Sequence, residues 1–341
     1  MSKLEATARQ AWSRLPRRLA ISRSAKSIKG LIHPWLRREP LRPKRTVRTL
    51  DELDEVLGYV DEASRVSDDE LRRVFNTFRM ELDLPMPSDP HSEEYRLAVM
   101  GVYEWLHGSP YELSNEKAQF EFARFVDVPF PYSTGSGATV GNHLIAIGHV
   151  IRTLDLPTKS RVLEFGPGWG NTTVALAQMG HSVTAVDVSQ QFVDLIQARA
   201  SLVNAPVHTV LGDFSKVDEL TDMFDAVLFF ESFHHCTDHQ RLLTSLDRIV
   251  VPGGRVLFAT EPIEDDYYVP WGLRLDGESL WAIRRNGWFE LGFRRSYFLE
   301  ALRRSGWSAT EVACPGMPSA NILVARRDGS RPRGRFGRRP E

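Results

Sequence analysis

The chain has 341 residues, 42% hydrophobic and 26% charged, a globular composition that excludes a disordered, collagenous or membrane-spanning protein. No apolar run reaches the roughly 18–20 residues a transmembrane helix needs, and two cysteines, Cys236 and Cys314, cannot build a disulfide framework or a four-thiolate zinc site. The net charge of −1 hides an asymmetry: residues 1–50 carry 14 Lys/Arg against two acidic residues, residues 326–341 carry seven Arg against two, and the body between is strongly acidic.

Residues 1–48 read as a basic, flexible arm broken by Pro16, Pro34, Pro40 and Pro43. In it Trp12, Leu15, Leu19, Ile21, Ile28, Trp35 and Leu36 alternate with Arg and Lys, the pattern of a segment drawn to an anionic membrane surface. The plainer alternative is a solvated end. Nucleic acid is set aside, because nothing else in the chain supplies base-reading chemistry. Few cysteines and no apolar run after the basic start give a cytoplasmic expectation, with the arm at the inner membrane face.

Residues 49–155 are expected to form a helical cap region. Leu53, Val56, Leu57 and Val60 share one helical face, and Ser67-Asp68-Asp69-Glu70 caps a second helix carrying Leu71, Val74 and Phe75. Three prolines make 84–90 a linker. Helices follow at 92–107 and 114–126, a loop at 129–141, and an apolar helix at 142–154.

From Arg161 short apolar runs at 161–165, 182–187, 206–211, 224–230 and 254–260 alternate with helical patterns at 169–180, 190–203 and 238–250. Such alternation specifies an α/β fold, a doubly wound, Rossmann-like sheet of parallel strands with helices on both faces. An insert at 261–292 interrupts it. A helix near 295–305 and two strands, 307–313 and 319–325, close the domain at about 326. The turn Pro315-Gly316-Met317-Pro318 makes that last pair antiparallel at a sheet edge. Residues 327–341 read as a disordered basic tail.

The site-bearing signal is Glu164-Phe165-Gly166-Pro167-Gly168-Trp169-Gly170-Asn171. Glycines let the backbone turn off a strand and let a ligand approach its amides. Asn171 stands where a dinucleotide fingerprint, G-x-G-x-x-G, has its third glycine, which makes a dehydrogenase the more distant reading. Asp187 ends the second strand, where a carboxylate can accept from both hydroxyls of a ribose; its other reading is a helix cap before Ser189. Asp213 with Phe214 ends the third strand and suits an adenine. Phe230-Glu231-Ser232-Phe233-His234-His235 ends the fourth, and Thr260-Glu261-Pro262 the fifth.

In this order the motifs resemble those of the class I S-adenosylmethionine-dependent methyltransferases over about 160–325. The resemblance implies a seven-stranded sheet of order 3-2-1-4-5-7-6 and S-adenosylmethionine as cofactor. Gly166, Gly168 and Gly170 would pass the methionine part, and Glu164 would orient that loop or meet the amino group. Asp187 would hold the ribose, and Asp213 with Phe214 the adenine. Tyr132-Ser133, about 30 residues upstream, resembles the Tyr-Ser pair of cyclopropane fatty acid synthase-like methyltransferases, which meets the cofactor carboxylate; a simple turn is the alternative.

A hydroxyl acceptor needs a base, and His235, His234 and Glu231 stand where it should approach the methyl group. The competing roles are a backbone hydrogen bond or a helix cap. Glu231, His234, His235, Asp238 and His239 could also be read as a metal cluster, but a helix starting near Asp238 would leave His235 outside it, and no metal is assigned. In the insert, Tyr267, Trp271 and Trp281 with Arg274, Asp276 and Glu278 could stack on and hydrogen-bond a sugar, or could simply fill a small core. Its Tyr267–Gly272 and Gly287–Phe293 segments resemble those of bacterial surface-polysaccharide methyltransferases. The expectation is therefore O-methylation of a sugar on a glycan or glycolipid. The alternatives are a lipid or small-metabolite methyltransferase, and a non-catalytic partner of a glycosyltransferase.

Overall fold

The computed structural model describes residues 45–83, 85–126 and 136–327. The expectations for residues 1–44 and 328–341, and for Tyr132-Ser133, lie outside those residues. Among the described residues no helix is long and apolar enough to cross a membrane.

The central sheet contains β3 (Arg161–Phe165), β4 (Ser182–Asp187), β5 (Val207–Leu211), β6 (Phe224–Phe230), β7 (Val250–Ala259), β11 (Trp307–Val312) and β12 (Ile322–Arg327). It runs β11-β12-β7-β6-β3-β4-β5. The five strands β3 to β7 are parallel, and β12 pairs antiparallel with both β7 and β11. Parallel strands with helices on both faces are apolar on both sides. In β3 the alternation is visible: Leu163 and Phe165 join one cluster, while Val162 joins another on the opposite face.

Helices α5 (Asn171–Gln178), α6 (Gln190–Leu202) and α7 (His239–Ser245) connect the parallel strands, and α9 (Arg295–Arg304) leads into β11. Before the sheet come β1 (Arg45–Val47), α1 (Leu50–Val66), α2 (Asp68–Phe75), β2 (Phe78–Met80), α3 (Glu93–His107) and α4 (Gly137–Leu154). Thr49 and Glu52 form a reciprocal cap on α1, and Ser67 caps α2 through the Glu70 amide. Strand β1 falls within the expected arm and pairs parallel with β2.

The expected helix at 114–126 is replaced by two short 3₁₀ turns, Leu113–Glu116 and Phe122–Arg124. Its polar groups are spent on tertiary partners instead: Glu116 accepts from the Phe289 amide (2.8 Å) and the Phe120 amide donates to the Gln191 side chain (2.8 Å). Phe120, Phe122 and Phe125 pack on Trp169 and Phe192. Tertiary packing thus overrides a helical pattern.

The insert holds β8 (Ile263–Glu264), β9 (Trp271–Leu273), α8 (Gly277–Trp281), a π-turn at Ala282–Asn286 and β10 (Leu291–Arg294), the strands pairing as β8-β10-β9. Its aromatic residues fill the interior. Trp271 is 1% exposed, and its indole donates to the Pro90 carbonyl (2.7 Å). Trp281 donates to Asp61 of α1, and the Tyr267 hydroxyl donates to the Gly272 carbonyl (2.9 Å). Arg284 and Arg285 pair with Asp54 and Asp61. Arg274 is buried among Asp276, Glu278 and Glu290. The aromatic and charged groups expected to receive a sugar are therefore engaged within the insert or with Pro90 and Asp61, because a segment this rich in large apolar side chains is driven into the core.

Candidate active site

A cavity of about 390 Å³ opens at the carboxyl ends of β3, β4, β5 and β6. That is where open α/β sheets bind ligands, and the size is that of a small-molecule site. Its first wall is the turn after β3. Gly166 (φ 61°) and Gly170 (φ 72°) are left-handed, and each abuts a neighbour. A Cβ at 166 would lie 2.6 Å from the Cβ of Ser232, and one at 170 would lie 2.5 Å from Cγ1 of Ile196. Conformation and space both demand glycine there. Gly168 is also left-handed (φ 51°), lines the cavity and has no atom within 4 Å of where a Cβ would be.

Asp187 closes this wall from β4. Its Oδ2 accepts from the Gly168 amide (3.2 Å) and its Oδ1 from the Ser189 amide (2.8 Å), so it is buried against the glycine turn at the cavity, and Ser189, not Asp187, is the N-cap of α6. Burial pushes its carboxyl up to about 7. Glu164 is also buried, but accepts from the Thr173 hydroxyl of α5 and does not line the cavity. Burial first, and the Asp187 charge second, push it up to about 7 as well. Its geometry ties β3 to α5, which favours loop orientation over contact with a ligand amino group. At the end of β5, Asp213 and Phe214 line the cavity; Asp213 Oδ1 accepts from the Ser215 amide (2.9 Å).

The other end is built by the turn after β6. Glu231 lines the cavity in a left-handed conformation (φ 52°), unusual for a residue with a side chain and costing on the order of 1 kcal/mol. A 3₁₀ turn, Phe233–His235, then sends the two histidines in different directions. His235 lines the cavity, and its Nδ1 lies 2.8 Å from the Phe289 carbonyl. A carbonyl can only accept, so Nδ1 carries the proton and the neutral ring keeps its lone pair on Nε2. His234 does not line the cavity; its Nδ1 lies 2.7 Å from Glu261. Of the two expected bases, only His235 reaches the site.

Four further contributors come from elsewhere in the chain. Glu116 lies 3.6 Å from His235 Nδ1 and lines the cavity with Tyr111. Burial pushes its carboxyl up to about 8. His143 of α4 and Trp288 of the insert add to the walls, Trp288 being the one residue of 261–292 that does so. His143 is pushed down to about 4 by burial. No local pattern marks these residues; they are brought in by packing. Glu261-Pro262, noted at a strand end, was the one sequence signal of a buried carboxylate beside the histidines.

Donor atoms of His234, His235 and Glu290 lie within 4.8 Å of one another. Glu290 already faces a resident cation, Arg274 Nη1, at 3.4 Å, and His234 Nδ1 is committed to Glu261. His239, from the wider cluster read in the sequence, turns instead to the Tyr297 hydroxyl (2.8 Å), and burial pushes it down to about 3. A metal would have to compete with these contacts.

Residues 163–258 match the family model described as a methyltransferase domain. A ubiquinone biosynthesis O-methyltransferase from Coxiella burnetii is 27% identical over 143 residues, covering 41% of this chain. The chain spans 61% of that relative's length. A ubiquinone biosynthesis O-methyltransferase from Rhizobium rhizogenes is 33% identical over 100 residues, 29% of this chain and 40% of the relative. Among solved structures, the 1,6-didemethyltoxoflavin-N1-methyltransferase of Burkholderia thailandensis, with bound S-adenosylhomocysteine, aligns at a TM-score of 0.40 with 23% identity. It covers 56% of this chain and 82% of that one.

Proposed function

We propose, starting from a chain that carries a methyltransferase domain of the class I, S-adenosylmethionine-dependent kind, that the protein methylates a hydroxyl group of a small-molecule acceptor. The observation that carries this reading is a single cavity joining Gly168, Asp187, Asp213 and Phe214 at one end to His235 and Glu116 at the other. The first set fits the cofactor: the open space beside Gly168 admits its methionine part, Asp187 would hold the ribose, and Asp213 with Phe214 the adenine. Bound there, S-adenosylmethionine supplies a methyl group on a good sulfonium leaving group, so the protein has no leaving group to protonate.

The work left to the chain is to align the acceptor, exclude water and take its proton. His235 is the group for the last task. With Nδ1–H fixed on the Phe289 carbonyl, Nε2 is the basic nitrogen, and a base so placed contributes ~10²–10⁴-fold. Glu116 lies 3.6 Å from Nδ1 beside the ring, its raised carboxyl keeping its proton near neutrality, and helps to wall that side of the site. Glu231, at the same end of the cavity, completes the acceptor wall.

We read the acceptor as a ring compound, since Tyr111 and Trp288 offer aromatic faces in that part of the cavity. A sugar hydroxyl of a glycan or glycolipid is the first reading. A lipid or small metabolite is the second, supported by Leu113, Leu242 and Phe230 in the lining and by the names of the ubiquinone biosynthesis relatives. Residues 1–48 would hold the protein against an anionic membrane, which flotation with anionic vesicles tests.

The decisive experiment is calorimetry with S-adenosylhomocysteine and with NAD, followed by transfer of a tritiated methyl group to glycan and lipid extracts. Binding of the first ligand alone and label in one extract, reduced ~10²-fold or more by His235→Ala, is expected. NAD binding defeats the cofactor assignment. Cofactor binding without transfer to either extract favours a non-catalytic partner role.

A further inference from the structure

The turn that brings His235 to the cavity is fastened by a carboxylate that has no part in the proposed chemistry. Glu261 follows β7, and its side chain is fully buried. One oxygen accepts from the Ser232 amide (2.9 Å) and the Phe233 amide (2.8 Å). The other accepts from the His234 amide (3.1 Å) and lies 2.7 Å from His234 Nδ1. An ionised carboxylate offers about four lone-pair sites. Here four donors from three consecutive residues take them, so the carboxylate acts as a template on which the turn is laid.

His234 belongs to this frame. Its Nδ1–H is donated to Glu261, while its Nε2 faces Glu290 at 3.7 Å, itself beside the buried Arg274. The same turn also touches the cofactor end. Ser232 donates its hydroxyl to the Phe165 carbonyl (2.7 Å), and its Cβ fills the space that keeps position 166 a glycine. Ser232 thus anchors the start of the turn at the Phe165–Gly166 corner, so a shift of the turn falls on residues 233–235 and moves His235 against the acceptor.

We propose that Glu261, with His234 as its partner, is the positioning residue that sets where His235 meets the acceptor. The kinetic consequence rests on the methyl transfer proposed above; the geometric claim does not. A misplacement of about 1 Å at a reacting group can cost ~10²-fold. A purely structural carboxylate would change stability without changing how the His235 ring is held.

The test compares wild type with Glu261→Gln, His234→Leu and His234→Asn. A glutamine keeps one oxygen but turns an NH₂ group toward donors. An asparagine at 234 can still donate to Glu261, whereas leucine cannot. Glu261→Gln and His234→Leu should each lower kcat ~10–100-fold, with KM for the cofactor and affinity for S-adenosylhomocysteine within about threefold. His234→Asn should recover most of that loss. Long-range proton–nitrogen spectra of the histidine rings should show His235 as a single Nδ1–H tautomer in wild type and as a mixture in Glu261→Gln. Should Glu261→Gln fail to fold, the two His234 variants carry the same readouts. A kcat within twofold of wild type in Glu261→Gln or His234→Leu, or an unchanged His235 tautomer, overturns the proposal. Absence of transfer in wild type defeats the methyltransferase reading instead, and the tautomer comparison still decides the positioning claim.

Discussion

Cofactor affinity should fall as the pH is lowered, and Asp187 should be the reason. Its buried carboxyl is pushed up to about 7, so the empty site holds it largely protonated below neutrality. A ribose donates its hydroxyls best to the ionised form, so binding must first remove that proton. Each pH unit below 7 then costs about tenfold in affinity, which at pH 5.5 amounts to ~30-fold, or about 2 kcal/mol. Calorimetric titration with S-adenosylhomocysteine from pH 5.5 to 8 measures it. Asp187→Asn should bind weakly at every pH with that slope removed. Glu164→Gln is the control: Glu164 titrates in the same range but holds Thr173 and does not line the cavity, so the slope should remain. A wild-type affinity that is flat over this range, or a slope that survives Asp187→Asn, would refute the assignment of Asp187 to the ribose.

Two further outcomes test the packing of the insert and the burial of Glu116. Trp271→Ala should cost ~3–5 kcal/mol of stability, because its buried ring packs on Tyr95 and His239, with acceptor KM unchanged in protein that folds; a sugar-stacking role would raise KM at constant Tm. Glu116→Gln concerns pH: a carboxyl raised to about 8 gives the folded protein a proton that the unfolded chain releases near its ordinary value of 4.5. Stability should therefore fall as the pH rises from about 4.5 to about 8 and level off above it, and thermal melts of Glu116→Gln should lack that decline.

The cavity wall built by the glycine turn and the strand ends was largely legible because it is local. The glycine turn needs left-handed residues at 166 and 170, Asp187 and Asp213 must stand at strand ends, and a parallel strand needs a short run apolar on both faces. Each of these leaves a mark within a few consecutive residues. The hairpin β11–β12 was equally readable from its turn. Pattern reading failed where a segment's partners lie far along the chain. The stretch 114–126 has a helical texture but gives its Phe120 amide to Gln191, its Glu116 carboxylate to the Phe289 amide and its aromatic rings to Trp169. The tryptophans of the insert suit a sugar in sequence and are spent on Pro90 and Asp61 in space.

The acceptor end shows the same division. Sequence alone determined that two histidines follow the fourth strand of the sheet, since residue type and strand end are local properties. Only the tertiary structure decided between them. A one-residue step along a tight turn reverses the direction of a side chain, and the choice was made by acceptors 27 and 54 residues away: the Glu261 carboxylate draws His234 inward, while the Phe289 carbonyl holds His235 at the cavity. Hydrogen-bond partners so distant in the chain are set by packing of the whole core, which no local pattern of residues encodes.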